Sequence, residues 1–232
     1  MTERGRGRPR RFDTAAALKI AMELFWEHGY EGTSLSMLTS AMGITPTSLY
    51  AAFGSKEELF RSAVELYNSA SESPTSRALE LRPTRRAIET MLRENAEAYV
   101  DPGNPRGCMV VLAGLNLGVG HEHIGGYLAE CRRNDHARIR ERIEQGIAEG
   151  DLPLGLDAAS TASFALTVLQ GLSIQARDGC TGEEAQAVID IAMKSWDEIV
   201  RQAEEAASPF ATGSPGPADA EEPGTGLPSG PL

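Results

Sequence analysis

The chain has 232 residues, of which 41% are hydrophobic, 24% charged and 6% aromatic, and its formal net charge is -11. This composition is typical of a soluble globular protein with one large domain or two small ones. The net acidity by itself argues against a nucleic-acid partner, because a polyanion attracts clustered Lys and Arg.

The charge is, however, unevenly distributed along the chain. Residues 1–60 contain seven Lys/Arg and seven Asp/Glu, residues 61–205 contain 15 and 23, and residues 206–232 contain none and three. At the very start, five arginines (4, 6, 8, 10 and 11) face only Glu3 before Asp13. Any nucleic-acid surface is therefore expected at the N-terminus.

Three cysteines, Cys108, Cys131 and Cys180, match neither a metal-binding spacing nor a disulfide framework, so we expect a reducing, cytoplasmic setting. No apolar segment typical of a signal peptide follows the basic start. The longest uncharged stretch, Ala158–Ala176, has 19 residues, but seven are Ser, Thr or Gln. We expect a helix buried in protein and no membrane span.

Apolar residues recur at helical spacing throughout and no alternating strand pattern occurs, which predicts an all-α fold. The first predicted helix, Asp13–His28, stops at Gly29. A second, capped by Thr33 or Ser34, ends at Gly43. The third predicted helix has Thr45 as its N-cap and Pro46 at its first position, and it runs to Phe53. The fourth begins with a capping box formed by Ser55 and Glu58.

The rest of the chain predicts a larger helical body. Ser71–Pro83 is expected to be a loop, and Gly125 and Gly126 are potential breaks in the longest body helix. The five predicted helices are Thr84–Val100, Arg106–Val119, His121–Glu149, Ala158–Asp178 and Gly182–Ala207. The predicted division is a basic arm (1–11), a helix-turn-helix domain (12–60), a ligand-binding and dimerisation domain (61–207) and a disordered, Pro- and Gly-rich tail (208–232).

Residues 35–53, LSMLTSAMGITPTSLYAAF, have the layout of a helix-turn-helix. Gly43 permits a tight turn, and an apolar wedge on both helices would fix their angle. The wedge consists of Leu38, Met42, Ile44 and Leu49. Residues 45–48 would then face outward, where the start of a recognition helix meets base edges in the major groove. Ordinary helix hairpins share this pattern, so the layout alone leaves both readings open.

The residues on either side of this segment favour a DNA-binding helix-turn-helix over an ordinary helix hairpin. The runs Phe25-Trp-Glu-His-Gly-Tyr-Glu-Gly-Thr-Ser34 and Leu49-Tyr-Ala-Ala-Phe-Gly-Ser-Lys-Glu-Glu-Leu59, with GITPTSLY between them, resemble the N-terminal domain of TetR-family transcriptional regulators. One departure is Thr39, where the family commonly has Ala; Thr is small enough to keep the helices close. The resemblance implies a homodimer that binds a palindromic double-stranded DNA operator and is released by a small-molecule effector.

The resemblance also implies roles for individual residues. Base contacts would come from Ser36, Pro46, Thr47 and Ser48, beside Thr45, and phosphate contacts from Ser34, Tyr50 and Lys56. The alternatives are a core tyrosine for Tyr50 and a solvated lysine for Lys56. The arm residues Arg8, Arg10 and Arg11 would reach phosphates or a narrow minor groove, unless the arm is merely a solubilising terminus.

In the body, two further sites are expected. The uncharged helix and the last helix offer apolar faces for a dimer interface, represented by Leu166, Leu169, Met193 and Trp196; the alternative is an intrachain core. Residues of an effector cavity are expected to be Asn95, Tyr99, Met109, Asn116 and Gln170, mostly polar groups among apolar ones. Each polar group could instead be a satisfied core residue.

Other chemistry is not indicated. His121 and His123, two apart, lack a third metal ligand and fit a solvated loop, so no metal or other cofactor is expected. No catalytic or phosphate-binding motif occurs, and the chain is not expected to be an enzyme. The leading hypothesis is a ligand-responsive repressor. The alternatives are a helical enzyme or carrier that kept the N-terminal fold, and an architectural protein that binds DNA through the arm alone.

Overall fold

A computed structural model describes residues 13–69 and 73–207, and within these ranges every regular element is a helix. We call α1–α4 the head and α5–α10 the body. The helices are α1 (Thr14–Gly32), α2 (Leu35–Met42), α3 (Pro46–Phe53), α4 (Lys56–Asn68), α5 (Pro74–Leu79), α6 (Thr84–Val100), α7 (Met109–Leu112), α8 (Glu122–Ala148), α9 (Ala158–Arg177) and α10 (Gly182–Ala207). Within the described ranges no helix is long and apolar enough to cross a bilayer. The predicted arm and tail lie outside the described residues.

Two sequence-based predictions about the body were wrong. The predicted helix Arg106–Val119 is reduced to the single turn of α7, because three glycines interrupt this stretch and glycine disfavours helix. The predicted loop Ser71–Pro83 contains α5: Pro74 occupies the first turn, and Ser73 Oγ accepts a hydrogen bond from Ser76 N at 3.2 Å. Proline therefore starts a helix here instead of marking a loop.

The predicted stop at Gly29 is a kink rather than an end. α1 continues to Gly32 across Gly29, whose backbone is left-handed at φ 71°. Beyond the kink, Tyr30 N donates to Ala113 O at 3.3 Å, just after α7. The head is thus bonded to the body through its own backbone.

The core consists of two apolar clusters. The first joins all four head helices, through residues such as Phe25, Leu49 and Phe60, with Met109 and Ile124 of the body. The second lies within α5, α6, α8, α9 and α10. Because the first cluster crosses from head to body, residues 13–60 do not bury their apolar surface on their own.

Two carboxylates of the head also pair with histidines of the body. Glu31 at the end of α1 accepts a hydrogen bond from Gly118 N at 3.0 Å and contacts His121 Nδ1. Glu57 in the first turn of α4 lies 2.9 Å from His123 Nε2. The two histidines expected in a solvated loop therefore bridge to the head. Among the residues described, no group of three or more His, Cys, Asp or Glu side chains could hold a metal ion.

Replacing Gly43 and Gly126 by alanine should show separately how backbone strain and helix propensity affect the free energy of unfolding. Gly43 is left-handed at φ +65°, and a Cβ there would meet nothing within 4 Å. Gly43→Ala is therefore expected to cost about 1–2 kcal/mol through the backbone alone. Gly126, inside α8 and equally open, is the control: Gly126→Ala should stabilise by up to about 1 kcal/mol. Urea unfolding measures both, and equal effects would contradict the assignment of strain to Gly43.

The Glu31 pairing should make stability depend on acid pH. Hydrogen bonds from Gly118 and His121 hold the pKa of Glu31 below its ordinary value of 4.5. A lowered carboxyl pKa stabilises the folded state above pH 4.5 and loses this contribution as the pH falls through the folded pKa. Glu31→Gln should lower Tm at pH 7 and have a smaller effect at pH 3. Glu23→Gln on exposed α1 surface is the control, and a pH-independent effect of Glu31→Gln would contradict the assignment.

Candidate nucleic-acid interface and body cavity

The N-terminal end of α3 presents a row of exposed polar side chains. Thr45, Thr47 and Ser48 are exposed together with Pro46, and Tyr50 is 44% exposed. Leu49 is fully buried in the first core. Exposure of Tyr50 excludes the alternative that it is a core tyrosine.

Capping decides which hydroxyls of this row remain available. Thr45 Oγ1 accepts from Ser48 N at 3.2 Å and lies 3.0 Å from Ser48 Oγ, so these two side chains satisfy each other. Ser34 Oγ similarly caps α2 by accepting from Met37 N at 3.1 Å. In the described part of the chain, the Thr47 side chain has no intramolecular hydrogen bond. The Thr47 hydroxyl, like that of Tyr50, is therefore available to donate to and accept from a bound partner.

The turn between α2 and α3 holds the row in place. Gly43 N donates to Ser40 O at 3.2 Å, and Ile44 N donates to Thr39 O at 3.0 Å, a double closure typical of a left-handed helix end. Thr39, the departure from the family pattern, is 8% exposed, and its Oγ1 donates to Leu35 O at 2.8 Å. Its hydroxyl is satisfied by its own helix, so the close contact between the helices is kept. Ser36 stays exposed on α2.

The start of α4 lies beside this surface. Ser55 Oγ accepts from Glu58 N at 3.0 Å, but Ser55 N donates to Phe53 O, so only half of the predicted capping box forms. Lys56 Nζ sits 4.3 Å from the centroid of the Tyr30 ring, and burial lowers the pKa of Lys56. Lys56 is therefore held in place and is not simply a solvated lysine. Backbone N–H groups at this helix start favour an anion such as phosphate.

The arm residues Arg8, Arg10 and Arg11 lie outside the described residues. Their contacts remain a prediction.

The body contains a cavity of about 410 Å³, within the size range of small-molecule sites. Its wall combines aromatic, polar and apolar side chains from α1, α4, α6, α8 and α9. The principal members are Trp26, Tyr67, Asn95, Tyr99, Cys108, Cys131, Asn134, Asp135, Arg138, Leu166 and Leu169. Asn95 and Tyr99 therefore lie where an effector cavity was expected.

Three other residues expected at the cavity lie elsewhere. Met109 is fully buried in the first core, while its neighbours Cys108 and Val110 line the wall. Asn116 is exposed in a separate cleft beside the α1 kink, because the helix expected to carry it is not formed. Gln170 follows Leu169 on α9, and successive helical side chains point about 100° apart, so Gln170 does not line the cavity.

The residues expected at a dimer interface belong to the chain's own interior. Leu169, Met193 and Trp196 are 6%, 3% and 2% exposed, within the second core. Leu166 lines the cavity. This burial agrees with the alternative of an intrachain core, since periodicity identifies an apolar stripe without identifying its neighbour. The large apolar side chains exposed on α9 and α10 are Ile174 and Ile191, at 44% and 65%.

Sequence reasoning missed Trp26, Tyr67, Asp135 and Cys131 in the cavity wall. Trp26 and Tyr67 belong to the head, which was considered only as a DNA-binding unit. Burial raises the pKa of Tyr67 well above its ordinary value, and it also raises the pKa of the Cys108 thiol. Both groups therefore stay protonated at neutral pH, and Cys108 is not activated as a thiolate.

Trp26 connects the cavity with the head. Its indole Nε1 donates to Gly107 O at 2.9 Å, beside Cys108 in the wall. From the end of α9, Arg177 donates to the carbonyl oxygens of Trp26 and Glu27 at 2.8 and 2.9 Å. Helix α1, which precedes the α2–α3 surface, is thus held by two body elements, and one of them, the segment at Gly107 and Cys108, borders the cavity.

Comparison with known proteins agrees with this architecture. Residues 17–63 match the family described as "Bacterial regulatory proteins, tetR family", and residues 85–188 match "Tetracyclin repressor-like, C-terminal domain". The chain is 31% identical over 201 residues to the HTH-type transcriptional repressor ComR of Escherichia coli (strain K12), covering 86% of this chain and 96% of ComR. The HTH-type transcriptional repressor BdcR of the same strain is 32% identical over 205 residues, covering 84% and 95%.

A solved structure shows the same arrangement with DNA. A cysteine mutant of the TetR family transcriptional regulator CifR, complexed with 26-base-pair operator DNA, superposes with a TM-score of 0.78 at 43% identity. The match covers 82% of this chain and 100% of that one. The chain belongs to the TetR family of bacterial regulatory proteins, which are DNA-binding transcriptional regulators and not enzymes.

Proposed function

We propose that the protein is a homodimeric repressor that binds a palindromic operator and is released when a small molecule occupies the body cavity. The observation that carries this proposal is the exposed polar row on α3, fixed to a buried core by Leu49 and flanked by the start of α4. ComR and BdcR, both named repressors, and the operator complex of CifR support it.

In the proposed complex, α3 enters the major groove. Thr47, with its free hydroxyl, and Pro46 contact base edges, with Ser48 and Ser36 on either side. Ser34, Tyr50 and Lys56 contact phosphates, which fix the register without reading sequence. Arg8, Arg10 and Arg11 add charge from the arm.

The proposed dimer face lies on the outer surface of α9 and α10. Ile174 and Ile191 are exposed there, and a Cβ at Gly171 would meet nothing within 4 Å, so a partner helix can approach closely. A two-fold axis would place the same patch of each subunit against its copy. The proposed interface therefore uses Ile174 and Ile191 in place of the residues predicted from the sequence, which were Leu166, Leu169, Met193 and Trp196.

In the proposed release mechanism, α4 and α1 carry the signal. α4 has Lys56 at its DNA-facing end and Tyr67 in the cavity wall at the other. The 13 residues of this helix span about 18 Å. An effector that stabilises a different position of Tyr67 and Trp26 would therefore shift the recognition helices relative to the grooves.

DNA binding should separate phosphate contacts from base contacts. Lys56→Ala is expected to weaken binding to every sequence and to reduce the salt slope of log K by about one. Thr47→Ala should cost about 1–3 kcal/mol on the operator and reduce sequence preference. Fluorescence anisotropy with DNA flanking the protein's own gene, against scrambled DNA, measures both effects.

The control is Lys19→Ala, an exposed lysine on α1 that pairs only with Glu23. If neither Lys56→Ala nor Thr47→Ala changed the affinity for the operator or its salt dependence, the operator interface would be wrongly placed. Deletion of residues 1–11 should weaken binding. Complete loss of binding on this deletion, with Thr47→Ala silent, would favour the architectural alternative.

The dimer face can be tested by adding charge. Ile191→Glu should convert a dimer into monomers in sedimentation velocity, because it places two carboxylates at a two-fold contact. Val119→Glu is the matched control, since Val119 is fully exposed and lies far along the chain from α9 and α10. A dimer that survived Ile191→Glu unchanged would locate the interface elsewhere.

A further inference from the structure

Asp135 is a carboxylate in the cavity wall that forms no ion pair with a described side chain. It lies on α8, partly buried, and no hydrogen bond or ion pair reaches it from residues 13–69 or 73–207. Arg138 is the other charged residue of the wall, but it is exposed and donates to Ser76 Oγ at 2.9 Å. The charge available inside the cavity is therefore negative.

Aromatic rings lie in the same wall. Trp26 and Tyr67 pack edge to face, with ring centroids 4.9 Å apart, and Tyr99 lines the cavity from α6. Burial raises the pKa of both tyrosines well above the ordinary value, so their hydroxyls stay neutral. Ring faces attract cations, most strongly where water is excluded.

We propose that the cavity binds an organic cation, with its ammonium group beside Asp135 and its apolar part against Trp26, Tyr67 and Tyr99. The inference rests on the proposed function in taking this cavity as the effector site. It adds the chemical class of the effector, and the volume of about 410 Å³ suits a molecule with one or two rings.

The direction of the pKa shift of Asp135 shows that its charged form is desolvated in the wall. Burial raises the pKa of Asp135, and the Arg138 charge only partly opposes the shift. A carboxylate held in this way is only partly compensated by Arg138, and a bound cation would compensate it directly. Cys108 and Cys131 also line the wall, but burial raises the pKa of both thiols, which disfavours a thiolate that would attack an electrophile.

The test uses three probes of similar shape and different charge on the full-length protein without DNA. They are phenethyltrimethylammonium, its neutral carbon analogue 3,3-dimethylbutylbenzene, and the anion 3-phenylpropanoate. We expect the cation to bind saturably, at least about tenfold more tightly than the neutral probe, with the anion weakest. Titration calorimetry gives the affinities, and quenching of Trp26 fluorescence, absent in Trp26→Phe, reports the location.

Variants of α8 then test the role of Asp135. Asp135→Asn should remove the preference for the cation and leave the neutral probe unchanged, while Asp135→Glu should keep much of the preference. The matched control is Glu130→Gln, an exposed carboxylate on the same helix outside the wall. Circular dichroism and thermal unfolding show whether Asp135→Asn is folded, and we expect its Tm at pH 7 to be at or above that of the wild type.

Several results would overturn the proposal: no saturable binding of the cation, equal or tighter binding of the neutral or anionic probe, or a cation preference that survives Asp135→Asn. These results are independent of the operator measurements. A protein that binds its operator as a dimer but ignores the cation loses only this inference. A protein that binds the cation without binding DNA keeps the inference and loses the proposed repressor function.

Discussion

The edge-to-face packing of Phe60 against α1 is the contact on which the rest of the head depends. The Phe60 ring lies 5.0 Å from Phe25 and 5.1 Å from Tyr30, centroid to centroid, and all three side chains are buried. Such rings contribute both burial and a preferred geometry, so α4 has little freedom to slide along α1. Lys56 and Tyr67 keep a constant separation because α4 is one continuous helix, and the aromatic packing makes α4 move together with α1. A displacement at the cavity is therefore carried to the end of the helix that faces DNA under the proposed function.

The distribution of charge along the chain explains how an acidic protein can present a DNA-binding surface. Residues 61–205 contain 15 Lys/Arg and 23 Asp/Glu, whereas residues 1–60 are balanced at seven of each. A polyanion is repelled by the body and approaches the head with less opposition, so the charge distribution favours one orientation of encounter. In the first turn of α4 the charge of Glu57 is compensated, because Glu57 Oε1 accepts from Arg61 at 2.9 Å and Glu57 also pairs with His123. The net charge of -11 therefore describes the body and tail and says little about the reading surface.

Local signals made the head predictable from the sequence. Ser34, Thr45 and Ser55 cap α2, α3 and α4, and each accepts a hydrogen bond from a backbone N–H three residues on. Such signals need no knowledge of distant contacts. The cavity and the outer face of α9 and α10 could not be found in the same way, because their residues come from helices far apart in sequence. Periodicity marked both Met193 and Ile191 as apolar, and only the packing of α10 against α6 and α9 shows that the first is buried and the second exposed.

The shared first core also constrains how a signal could pass between cavity and head. Met109 and Val110 of α7 pack with the head helices, Cys108 directly before them lines the cavity, and Gly107 O accepts the indole N–H of Trp26. A head that tilted as a rigid body would break this core and the Trp26 hydrogen bond together, at a cost of several kcal/mol. A movement that kept both would have to carry α7 along and change the cavity wall at Cys108. If α7 moves together with the head, the core stays intact. The shape of the cavity and the orientation of the head then change together, as one two-state transition. Under the proposed function, an effector therefore acts by selecting the cavity shape that belongs to the released head.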